Sequence, residues 1–93
     1  MSVELELYGP YRDIVGTKEA SLNITSEASL ATVIELLSDR WPELQKRLAA
    51  EGDGLPADVI LLKNGRPVSK REFSTTTVSP GDTLSLAPAI SGG

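Results

Sequence analysis

One segment of this chain carries a long helical stripe: Leu30, Val33, Ile34 and Leu37 fall at i, i+3, i+4 and i+7, the spacing that gathers apolar side chains on one face of an amphipathic helix. Ser26 and Ser29 stand before it as N-cap hydroxyls. Trp41-Pro42 ends or kinks the helix, because a residue before proline avoids helical angles, and Pro42 then suits the start of a short second helix carrying Leu44 and Leu48. Trp41, in helical spacing with Leu37, Leu44 and Leu48, is expected to cap the core. One main helix is available to cover one face of a mixed sheet.

The rest of the periodic sequence has the period of strands. Val3, Leu5 and Leu7 alternate with Glu4 and Glu6, and Ala20, Leu22 and Ile24 alternate after Gly16-Thr17, which predicts an antiparallel hairpin. Gly9-Pro10 breaks the first strand, and Tyr11 to Val15 is expected as a short turn-like bridge. Val59-Ile60-Leu61-Leu62 does not alternate, as in a central strand covered on both sides. Asn64-Gly65 marks a tight turn leading back through Arg66-Pro67-Val68, Phe73 anchors an irregular stretch, and Pro80-Gly81-Asp82 turns the chain into a last strand through Ala87. Gly52-Asp53-Gly54 is expected as a polar loop. The order strand, strand, helix, strand, short strand, strand predicts an α+β roll in a single domain, as 93 residues suit one core.

Composition removes most chemistries. With no cysteine and no histidine, disulfides, thiolate nucleophiles, the usual zinc sites and serine–histidine arrangements are absent. A net charge of −4 with thinly spread lysine and arginine argues against nucleic acid and suits a partner with a basic surface. Met1 to Glu6 lacks the features of a secretory signal, and no run approaches the roughly 18 apolar residues of a membrane span, so a cytoplasmic protein with no membrane partner is expected. Glu4 and Glu6 belong to the solvated face of a strand, and Gly52-x-Gly54 lacks the spacing and lysine of a phosphate loop. No metal site and no bound cofactor are expected.

The end of the chain, Pro88-Ala89-Ile90-Ser91-Gly92-Gly93, holds no charged side chain. Extended at ~3.3 Å per residue it spans about 20 Å. Two glycines lack the Cβ atoms that would block a narrow channel, so such a tail can enter the active site of another enzyme. A carboxylate is a poor electrophile until activated, so chemistry at Gly93 needs a partner that adenylates it with ATP and lets a sulfur or amine nucleophile displace AMP.

Tyr8-Gly9-Pro10-Tyr11-Arg12-Asp13-Ile14-Val15-Gly16, Leu62-Lys63-Asn64-Gly65-Arg66, Pro80-Gly81-Asp82 and Gly92-Gly93, in this order, resemble the MoaD/ThiS family of sulfur carriers over essentially the whole chain. The resemblance implies a ubiquitin-like β-grasp fold: a mixed sheet of four to five strands, one main helix, a short second helix, and residues 88–93 as a flexible tail. It implies a non-catalytic carrier whose Gly93 is adenylated by a MoeB-like, E1-like enzyme, converted to a thiocarboxylate, and inserted into a MoaE-like subunit to donate sulfur to the molybdopterin precursor. A heterotetramer of two small and two large subunits is the family expectation. The length and the extension through Trp41-Pro42 and Leu44 favour MoaD over the shorter ThiS carriers of thiazole synthesis.

By matched position, Tyr8, Pro67, Ala87 and Pro88 form the partner-facing apolar surface, and Ile90, Ser91 and Gly92 lead to the activated Gly93. Ala87 and Ala89 stand where the family commonly has an aromatic residue and a proline, which weakens the expected docking patch and leaves the tail less stiff. Arg12 is a candidate for steering an acidic partner. An alternative is a protein modifier joined through Gly93 to lysines of other proteins, as in ubiquitin-like archaeal relatives. A third is a plain interaction module, whose binding would survive removal of Gly92 and Gly93.

Overall fold

The computed structural model describes residues 1–48, 58–69 and 71–89. The expected alternation produces β1 (Ser2–Leu7) and β2 (Glu19–Asn23), paired antiparallel with Leu5 opposite Ala20 and Val3 opposite Leu22. Between them the expected bridge is a helix, α1 (Pro10–Val15). Pro10 supplies a backbone angle already suited to the first helical turn, and Gly16, at φ 91°, closes the last turn by donating its N–H to Arg12 C=O at 2.8 Å. Six residues are too few to be stable alone; burial of Tyr11 holds them in place.

After β3 (Ala28–Ser29) comes α2 (Leu30–Arg40), whose Leu30, Val33, Ile34 and Leu37 are all buried as the stripe requires. Of the two candidate caps Ser29 is used: its Oγ accepts the Thr32 N–H at 3.1 Å. Trp41 ends α2, with its N–H on Leu37 C=O, and packs against the core half-buried while the Arg40 guanidinium lies 5.2 Å from its ring. Then α3 (Pro42–Leu48) buries Leu44 and Leu48.

The second half gives β4 (Val59–Lys63), β5 (Arg66–Pro67), a 3-10 turn at Phe73–Thr75, β6 (Thr77–Val78) and β7 (Thr83–Pro88). The main sheet has five strands in the order β2-β1-β7-β4-β5, and β3 pairs with β6 in a separate two-stranded ribbon. Among the described strands of this sheet, only β1 and β7 run parallel to each other. Side chains from one face of the sheet, including Leu5, Leu7, Leu84 and Leu86, join Leu37, Leu44 and Phe73 in a single buried cluster.

The central strand is β7, and β4 lies beside it with Ile60 39% exposed, so the expectation that β4 is central and covered on both sides is corrected. The helices cover the Leu61 face, and no second layer among the described residues covers the Ile60 face. The expected loop at Gly52-Asp53-Gly54 lies outside the described residues.

Two turns are locked together at one end of the sheet. Asn64 and Gly65 adopt φ of 52° and 83°, the left-handed pair that a two-residue hairpin turn requires. Asn64 N–H donates to Thr83 C=O at 2.8 Å, its Oδ1 accepts Thr83 N–H at 2.9 Å, and its Nδ2 donates to Asp82 Oδ1 at 3.2 Å. Asp82 Oδ2 accepts the Ser79 N–H at 2.8 Å, with Lys63 Nζ at 3.9 Å.

Candidate docking face and the end of the central strand

The open face of the sheet is built by register. Ile60 pairs with Ala87, and Tyr8, whose N–H donates to Leu86 C=O at 3.0 Å, follows β1 on the other flank of Ala87. One row across the sheet therefore reads Tyr8, Ala87, Ile60. The next reads Glu6, Ser85, Leu62, Pro67, from the pairs Glu6–Ser85, Ser85–Leu62 and Leu62–Pro67. Residues on one face alternate along each strand, so these side chains all project away from the helices.

Three of the expected partner-facing residues, Tyr8, Ala87 and Pro67, are thus brought onto one surface. Ile60 and Leu62 belong to the same surface and were missed. Tyr8 and Ile60 are each 39% exposed, large apolar side chains left toward water in one row. Exposed apolar area in a contiguous patch is the feature that distinguishes a docking surface from scattered surface hydrophobes.

The rim is polar and ordered. Ser85 Oγ donates to Glu6 Oε1 at 2.9 Å, while Ser21 and Ser2 hydroxyls donate to the two carboxylate oxygens of Glu4 at 2.8 and 3.2 Å. These bonds fix a pair of acidic groups along the β1 side of the patch. Lys18 Nζ lies 5.6 Å from the centre of the Tyr8 ring, close enough for a cation–π attraction that favours one ring orientation. Arg12 is exposed on α1.

Pro88 is separated from that group. It follows the parity of Leu84 and Leu86 toward the opposite face, pairs with Val59, and sets its ring against Gly9. The expected tail therefore begins inside the sheet: Pro88 closes β7, and Ala89 N–H donates to Asp58 C=O at 2.8 Å. Ile90, Ser91, Gly92 and Gly93 lie outside the described residues.

The described residues offer little else for chemistry. Among them no group of three or more carboxylates is placed to hold a metal ion, and no buried polar side-chain atom lacks a hydrogen-bond partner. No helix among them is long and apolar enough to cross a membrane. Burial, reinforced by the Asp58 charge, pushes the Tyr11 hydroxyl up, but that side chain lies in the core.

The model of the ThiS family matches residues 5–93. Small archaeal modifier protein 3 of Haloferax volcanii is 31% identical over 93 residues, which is 100% of both chains. A Haloferax volcanii protein solved in solution superposes with a TM-score of 0.82 at 31% identity, covering 100% of this chain and 87% of that one. A Pyrococcus furiosus protein provisionally assigned as molybdopterin converting factor, subunit 1, has the same fold, with a TM-score of 0.76 at 23% identity over 97% of this chain and 99% of that one.

Proposed function

The chain belongs to the ThiS family of ubiquitin-like β-grasp proteins, and on that premise we propose that it is a sulfur carrier, the small subunit of a molybdopterin synthase, reacting through the carboxylate of Gly93. In the first step a Gly93 carboxylate oxygen attacks the α-phosphorus of ATP held by an E1-like, MoeB-like enzyme, and pyrophosphate leaves. A sulfur nucleophile then displaces AMP from the acyl carbon, leaving a thiocarboxylate. Inserted into a MoaE-like subunit, in a heterotetramer of two small and two large subunits, the thiocarboxylate sulfur bonds to the molybdopterin precursor, and water then cleaves the acyl–sulfur bond and returns the Gly93 carboxylate. ATP and the catalytic groups belong to the partners, and the carrier supplies the docking face and the acyl end.

The observation that carries this reading is the row Tyr8, Ala87, Ile60 on the open face of the sheet. The row crosses β7 at Ala87, one residue before that strand ends at Pro88, so a partner seated on it is close to the start of the segment that leads to Gly93. Ile60 and Leu62 add to a patch that Ala87 alone leaves small. The acidic rim at Glu4 and Glu6 suits a partner presenting basic side chains on that flank.

A second reading, attachment of Gly93 to lysines of other proteins, draws on the 31% identity to small archaeal modifier protein 3. Transfer to a thiazole precursor, as a ThiS-like carrier, uses the same activated Gly93. Intact mass after incubation with an E1-like enzyme of this family, ATP and a sulfur donor tests all three. Exchange of one oxygen for sulfur in the C-terminal peptide is expected, and transfer of that sulfur to the molybdopterin precursor selects the first reading. Lysine-linked conjugates after addition of lysate select the second, and transfer only to a thiazole precursor selects the third. No mass change with an enzyme that activates another carrier overturns the proposal.

A further inference from the structure

Where β7 ends, the ring of Pro88 lies on the bare Cα of Gly9. A methyl group at residue 9 would stand 3.0 Å from Pro88 Cγ and 3.1 Å from Cδ, well inside the ~3.5–4.0 Å at which carbon atoms attract. Gly9 also has φ 58°, a conformation that L side chains rarely adopt. The backbone is tied on both sides of the ring, by Tyr8 N–H on Leu86 C=O and by Ala89 N–H on Asp58 C=O. Proline contributes a fixed φ of its own.

We propose that Gly9 and Pro88 form a clamp that sets the direction in which the chain leaves the sheet after Ala89, making Gly9 a positioning residue for the reaction at Gly93. This rests on the carrier reading above. Gly93 is the fourth residue after Ala89, within a reach of about 13 Å at ~3.3 Å per residue. The clamp fixes where the segment leading to Gly93 starts, and misplacement of a reacting group by about 1 Å can cost a hundredfold in rate. The clamp lies on the opposite face of β7 from Tyr8, Ala87 and Ile60. Docking and aiming are therefore separable: loss of the clamp lowers kcat and leaves KM for the carrier unchanged.

The test compares the wild type with Pro88→Ala, Gly9→Ala and the double variant. By NMR, Pro88→Ala is expected to lower the heteronuclear NOE from Ala89 onward and speed amide exchange at Ala89, with β1 and β4 unchanged. In ATP–pyrophosphate exchange with an E1-like enzyme of this family, Pro88→Ala lowers kcat about tenfold at constant KM, less than the hundredfold that a full misplacement of about 1 Å can cost. Gly9→Ala, which drives a methyl group into the Pro88 ring, lowers it at least as far, and adding Pro88→Ala brings no further loss, because that change removes the Cγ and Cδ against which the methyl would press. Unchanged NOE and exchange in Pro88→Ala overturn the clamp whatever the enzyme does. A raised KM at constant kcat overturns the positioning role. If wild type is not adenylated, the carrier reading and the positioning role fall together, and the NMR result still decides the clamp.

Discussion

Asp82 accepts one backbone and one side-chain N–H and faces Lys63. The Ser79 amide, ahead of Asn64 and Lys63, holds its carboxyl below the usual carboxylate range against a smaller opposing effect of burial. A carboxylate with a lowered native pKa stabilises the fold above its unfolded value, near 3.9, and that contribution is lost as pH falls through the native value. Asp82→Asn is expected to lower stability by about 1 kcal/mol at pH 7, since the charged acceptor is lost but solvent screens much of its worth. Urea unfolding at pH 7 and pH 3 should show the variant and wild type converging at the lower pH. Ile60 is a contrasting residue: exposed on the open face, it should contribute within about 0.5 kcal/mol to stability when changed to Ala. The same change should raise KM for adenylation about tenfold, the effect of losing more than about 1 kcal/mol at a docking centre. Unaltered KM would remove Ile60 from the docking face.

At the scale of elements, the helical stripe of α2, its stop at Trp41-Pro42 and the restart as α3 are all legible from spacing alone, because amphipathic period and proline geometry act locally. Ser29→Ala should cost about 1 kcal/mol through loss of the bond to Thr32 N–H, readable as a lower Tm, whereas Ser26→Ala leaves Tm nearly unchanged because Ser26 does not cap the helix. The helix α1 is less legible: six residues between Gly9 and Gly16 owe their shape to where Tyr11 is buried, which no local pattern displays. The apolar run of β4 misleads in a different way. Four successive apolar residues suit a strand with two covered faces, yet a chain with one main helix can cover only one. That conflict was already present in the sequence, and its resolution is an apolar outer face at Ile60 and Leu62. Tyr8, Pro67 and Ala87 were placed by resemblance, and the register shows why they meet: strands distant in sequence bring them to one surface.

In the whole molecule, the buried core is assembled from described residues that all precede the proposed reacting end. Ala89 is the last residue bonded to the sheet among those described, so removing Gly92 and Gly93, or adding one residue after Gly93, should leave Tm unchanged and abolish sulfur transfer. Retained transfer by the extended variant would exclude Gly93 as the reacting group. The parallel pairing of β1 with β7 joins the first strand of the chain to the last, with Leu7 opposite Leu86. Contacts of such long sequence separation form late, after the entropy of closing the intervening loop has been met. During synthesis, β1 must wait for β7 to be made and released before the sheet has its centre. A chain cut short before β7 has no middle strand, no Ala87 between Tyr8 and Ile60, and no clamp for Gly9. An intact open face is therefore a record that the last strand has been made.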